Sequence, residues 1–174
     1  MDAAFARELF EYDRWANQRV LDCADELSPA DYAASLINPA TDETLPAGEQ
    51  ASIRGTLAHI LGGELLWLAR CRGESPATIL GERELPDFES LRRRWRAHQA
   101  DLDAYVAGLT DAALAGRVTY RTMRGDAYTH TRAQILAHLV NHSTQHRSEA
   151  AIGLTRLGHS PGDLDLIVYL RRQA

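Results

Sequence analysis

The sequence predicts an all-α fold, a four-helix bundle, and three observations carry that prediction. Four long segments repeat apolar residues every three or four positions, the period of one helix face. Connections rich in Pro, Gly and polar residues join them. No segment repeats another and no low-complexity tract interrupts the pattern, so the amphipathic faces must be buried against one another in an antiparallel or crossover arrangement. With 174 residues, 45% hydrophobic and 25% charged, the chain is expected to form a single domain over 1–174.

The first helix is expected over 3–27, from Phe5, Leu9, Tyr12, Ala16, Val20, Cys23 and Leu27. Residues 28–49 hold Pro29, Pro39, Pro46 and Gly48 without a period, and read as a long first crossover with room for a short helical turn. Ser52 is a suitable N-cap for the second helix, which follows Ile53, Leu57, Ile60, Leu61, Leu65 and Leu68 to Arg72, with Gly73 as its stop. Pro76 and Pro86 bracket the next loop. The third helix starts around Asp87 and carries Phe88, Leu91, Trp95, His98, Leu102, Tyr105 and Leu109 on one face. Between 116 and 131 the stretch RVTYRTMRGDAYTH has the Thr, Tyr and Val content of a short hairpin around a central Gly-Asp. The last long helix opens at Thr131, follows Ile135, Leu139, His142, His146, Ala150, Gly153 and Leu157, and stops at Gly158. Residues 163–172 suit a short terminal helix.

Composition removes several function classes. All 19 basic residues are arginine, so P-loop nucleotide hydrolysis, lysine Schiff-base chemistry and a lysine-dependent kinase site are excluded. The net charge of −5 and scattered arginines argue against a nucleic-acid surface, and the cluster from 92 to 96 reads as a solvated helix face. No apolar run approaches the ~18 residues of a membrane helix, and the opening MDAAFARELF resembles no signal peptide, so a cytoplasmic protein without a membrane partner is expected. Cys23 and Cys71 are too few for a disulfide framework and are expected as small buried residues.

Three of the seven histidines, His138, His142 and His146, are four residues apart on one helix, where neighbouring imidazoles can reach one ion. His138 and His146 are separated by about 12 Å along the axis, so only an adjacent pair can share a metal. His142 and His146 continue the apolar stripe while His138 borders it, which selects the inner pair. Spacing alone leaves a metal pair and ordinary core or exposed histidines equally open. His59 is the candidate third ligand: Gly55, Gly62 and Gly63 surround it at i−4, i+3 and i+4. Each helix-interior glycine costs ~1 kcal/mol against alanine, so either open space beside the imidazole or close helix packing must require them.

The segments LFEYDRWANQRVLD, LAHILGGELLWL, HLVNHSTQHR and TRLGHSPGDLD resemble, in order and over nearly the whole chain, the DinB-like proteins. These are four-helix metal-binding proteins whose relatives include thiol-dependent transferases and the mycothiol-dependent maleylpyruvate isomerase. The resemblance implies a divalent metal, commonly zinc or nickel, held by His59, His142 and His146. It also implies a homodimer, a low-molecular-weight thiol cosubstrate and an association with stress. Where many members read His-His-Arg-Gly-Gln, this chain has Gln145, His146, Arg147, Ser148 and Glu149, keeping the last ligand but replacing Gly and Gln.

A three-histidine site leaves a coordination position for a small-molecule substrate, the arrangement of catalytic metal sites. Thiol activation and hydrolysis are both open to it, and so is metal or ligand binding without turnover. Hydrolysis needs a nearby carboxylate base. Glu149 and Glu64 are candidates, but Glu64 lies about 140° around the helix from His59, which ranks thiol transfer first. Of the remaining residues, His98 is expected as a satisfied core histidine and His138 beside the ligands or at the surface. Trp15, Trp67 and Trp95 are expected as core anchors, Arg147 as a surface ion-pair partner, and Tyr120 and Tyr128 over the bundle end.

Overall fold

A computed structural model describes residues 1–36 and 52–174. Four long helices dominate: α1 (Ala3–Asp25), α3 (Ile53–Cys71), α4 (Phe88–Ala107) and α6 (Arg132–Arg156). Each begins at a side chain that accepts a backbone N–H of its first turn: Asp2 from Phe5, Ser52 from Gly55, Asp87 from Ser90 and Thr131 from Gln134. Gly73 and Gly158 follow α3 and α6 with φ of 90° and 89°, the left-handed stop that glycine adopts without strain. Short helices α2 (Pro29–Ala33) and α5 (Asp111–Ala115) lie in the connections, and α7 (Leu166–Arg171) follows the last long helix. Residues 37–51 of the expected crossover lie outside the described residues. Helix α5 was not anticipated, since five residues are too few to show a period.

The expected excursion is an antiparallel hairpin of β1 (Arg117–Arg121) and β2 (Ala127–Thr131), with Tyr120 opposite Tyr128. A positive φ of 92° at Gly125 turns the chain between them. Among the described residues the fold is therefore mostly helical with one small two-stranded sheet.

Helix α1 packs on α4 and α6, and α3 packs on the same two helices. The buried face of α1 differs from the expected stripe. Phe5 is exposed, while Ala3, Ala6, Phe10, Ala16, Val20, Leu21 and Ala24 face inward, because small alanines let the helices approach. Of the three tryptophans only Trp95 is buried. Trp15 stacks on Tyr169 of α7 at 5.5 Å and Trp67 packs on Tyr120 of the hairpin at 5.1 Å, both half-buried. Cys71 is buried and Cys23 only half-buried.

The apolar interior falls into two clusters. One gathers Phe10, Leu68, Leu102, Val106, Leu136 and Leu139 with the hairpin residues Val118 and Tyr120. The other gathers Val20, Leu57, Ile60, Leu61, Leu91, Trp95 and Leu154. Between them on every long helix lies a buried polar residue: Asp13 and Asn17 on α1, Glu64 on α3, His98 on α4, and Ser143 and Arg147 on α6. A polar layer thus divides the core.

Candidate metal centre

Helices α3 and α6 run antiparallel, with His59 against His146, Gly63 against His142 and Trp67 against His138. This register brings His59, His142 and His146 together: one ring nitrogen from each lies within 4.8 Å of the others. The Nε2 atoms of His59 and His142 are 3.1 Å apart. Two nitrogens held at ~2.0–2.1 Å by one tetrahedral ion are ~3.3 Å apart, so this spacing suits a shared cation.

Electrostatics favour ligation. Burial, then the neighbouring rings of His146, His59 and His138, pushes His142 down to about 4. His59 is lowered by burial and His146 against the opposing pull of Glu149. Both imidazoles are therefore neutral at pH 7, with a lone pair available. Glu149 approaches His146 Nδ1 at 2.8 Å, one turn along α6. A proton held there by the carboxylate leaves Nε2 as the ligating atom, the arrangement that commonly orients metal-binding histidines.

Gly62 and Gly63 serve packing. A Cβ on Gly63 would lie 2.8 Å from His142 Cε1, so the missing side chain is what admits the imidazole. Gly62 meets the Leu80 carbonyl, which a Cβ would approach to 2.2 Å. Gly63→Ala is expected to retain the helix, which gains ~1 kcal/mol in propensity, yet weaken metal binding about tenfold by displacing a ligand ring. Competition with a chromophoric chelator measures the loss.

The other histidines lie elsewhere. His138 is exposed and meets Trp67 edge to face, its ring centroid 5.6 Å from that of His142. His130 contacts the Tyr120 hydroxyl and His159 pairs with Glu26. His98 is buried, its Nε2 3.0 Å from Glu64 Oε2 on the opposite side of α3 from the cluster ligands, but its Nδ1 has no partner among the described residues, so it is not the satisfied core histidine expected.

Sequence reasoning missed the polar layer behind the cluster. Arg147 is 1% exposed, not a surface residue: its Nη1 donates to Asp13 Oδ1 at 2.6 Å and to Asn17 Oδ1 at 2.9 Å. Its Nη2 donates to the Tyr12 and Thr144 hydroxyls. The Asn17 amide bridges Asp13 Oδ2 and Glu64 Oε1, and Ser143 donates to the same Glu64 oxygen. Glu64 is thereby committed to the interior and does not approach the three rings. Ser143 and Arg147 directly follow His142 and His146, so their bonds fix the rotation of α6 that aims both imidazoles at α3. The signal available was YDRWAN, with Asp13 and Asn17 on the helix face shared with Phe10, Ala16 and Val20.

A DinB family model matches residues 1–173. The chain belongs to the DinB family. It is similar to Protein DinB of Bacillus subtilis (strain 168), with 25% identity over 177 aligned positions that cover 95% of this chain and 94% of that one. Among the described residues, no helix of this DinB family member is long and apolar enough to cross a membrane.

Proposed function

We propose that this DinB family protein holds one divalent metal, zinc or nickel, through His59, His142 and His146, and uses it as a thiol-dependent transferase acting on small electrophiles. The observation that carries the proposal is the convergence of three imidazoles from two antiparallel helices. An all-nitrogen donor set suits either metal. When bound, such an ion lowers the pKa of a thiol and presents it as a thiolate. The chain's own part is orientation: Glu149 holds the proton of His146 at Nδ1, Gly63 seats His142, and the polar layer keeps α6 in register. Half-exposed His59 and His142 leave the cluster open to a small molecule.

The disposition of the carboxylates favours thiol transfer over hydrolysis. Glu149 is the only described carboxylate hydrogen-bonded to a ring of the cluster, and there it orients a ligand; Glu64 is turned away. We take the four long helices as a four-helix bundle forming a single domain that works in the cytoplasm as a homodimer, as the family implies.

Metal analysis of untagged protein should find one ion per chain, and the loaded protein should consume a low-molecular-weight thiol in the presence of an electrophile. A flat response with every thiol, metal bound, would leave a non-catalytic binding protein. Ester or amide cleavage without thiol would instead establish a hydrolase. Glu149→Gln is expected to weaken metal affinity by about 10–100-fold while leaving stoichiometry at saturation unchanged, measured by chelator competition.

A further inference from the structure

The face of α3 that carries His59 continues beyond the cluster through Gly63 and Trp67, and the next residue along it is Arg70. The Arg70 guanidinium sits in the corner made by two rings that meet edge to face, 4.3 Å from the Trp67 ring centroid and 4.6 Å from that of Tyr120. The residue is 5% exposed, and among the described residues no carboxylate pairs with it. Its Nη2 makes a long bond of 3.4 Å to the Arg121 carbonyl, and its buried Nε has no partner. Arg147, the other arginine buried to this degree, has Asp13. A cation withdrawn from water without a counter-charge is unfavourable, and burial depresses the Arg70 pKa accordingly.

With Nε unpaired and only a long bond at Nη2, the guanidinium keeps donors to offer, and its fork of N–H groups matches a carboxylate. Helical side chains lean toward the N-terminus, so Arg70 leans back along α3 toward Trp67 and the histidines. The helix rises roughly 10 Å between Gly63 and Arg70 at ~1.5 Å per residue, within reach of a small organic acid.

We propose that Arg70, seated against Trp67 and Tyr120, is a carboxylate subsite that holds the acid group of a small molecule whose other end reaches the three-histidine cluster. The role of that far end rests on the transferase reading, whereas the carboxylate contact does not need the metal. Either cosubstrate, thiol or electrophile, can carry the acid group.

Ligand-detected NMR titration of metal-free protein tests this with benzoate and its neutral counterpart benzamide. Benzoate should bind about tenfold or more tightly than benzamide, and the preference should vanish in Arg70→Gln. Equal affinity of the two probes for the wild-type chain, or a preference that survives Arg70→Gln, overturns the proposal. The wild-type comparison requires no variant to fold, and Tyr120→Leu, which removes one of the two rings that seat the guanidinium, should also weaken benzoate. Thioglycolate and maleate then distinguish the sources: the one that loses more affinity in Arg70→Gln identifies which cosubstrate carries the acid, and loss for neither overturns the proposal. If the loaded protein consumes no thiol while the benzoate preference persists, the transferase reading fails and the subsite stands. Thiol consumption without that preference refutes the subsite alone.

Discussion

Arg147→Leu is expected to lower the unfolding free energy by about 3–5 kcal/mol, read as a reduced denaturant midpoint at unchanged slope. The guanidinium is enclosed and supplies four hydrogen bonds to Tyr12, Asp13, Asn17 and Thr144. Its removal leaves Asp13 buried in the same layer as Glu64 without a cation. Burial already pushes the Asp13 carboxyl up and Glu64 adds to this, while Arg147 pulls it back. A raised native pKa means that the folded chain holds the proton more tightly than the unfolded one, so this contribution is full below 3.8 and is lost as pH rises through the native value. The deficit of the variant should therefore be smallest in acid and grow toward neutral pH. Replacing both partners, as Arg147→Leu with Asp13→Leu, should recover much of the loss, because apolar pairs substitute well for buried ion pairs. A loss below about 1 kcal/mol in the single variant would instead describe an exposed ion pair.

The reason Arg147 was misplaced also marks the limit of sequence reading in this fold. The long helices were legible because caps and stops bracket a three-four period: Ser52 and Gly73 enclose α3, and Thr131 and Gly158 enclose α6. On α6 the true inward face adds a column through Leu136, Val140, Ser143, Arg147 and Leu154 to the apolar stripe. Serine and arginine break its apolar pattern, and only their partners on other helices make burial tolerable. The same holds for Glu64, whose partners lie 47 and 79 residues away along the chain. His142 and His146 were legible because an i, i+4 pair on a partly apolar face needs no distant information. The glycines were half legible: sequence marked them as unusual, but that Gly62 admits a loop carbonyl and Gly63 a ligand ring depends on neighbours brought in by the fold. Arg70 gave no periodic signal at all, since its surroundings come from the hairpin as well as its own helix.

His142→Ala is expected to have the second large effect, on metal binding rather than on the metal-free fold. At metal concentrations a hundredfold above the dissociation constant, the wild-type protein should gain ~2.7 kcal/mol, a rise of roughly 5–11 °C in Tm for a chain of this size. The variant should show no such rise, because two imidazoles at the edge of a helix pair do not replace three. A second readout follows from the depressed pKa. In metal-free wild type the native value of about 4 lies below the ordinary 6.5, so the folded chain binds fewer protons than the unfolded one between these values. The associated stability is full above 6.5 and is lost as pH falls through 4. Removing the ring should flatten that part of the pH profile. For the same reason protons compete poorly for His142, and the wild-type site should keep its metal to lower pH than one built from unperturbed histidines. A variant that loses the metal shift but keeps the pH slope would mean that the ring ligates without being buried among its neighbours. Retention of the metal shift would remove His142 from the ligand set and, with it, the explanation for Gly63.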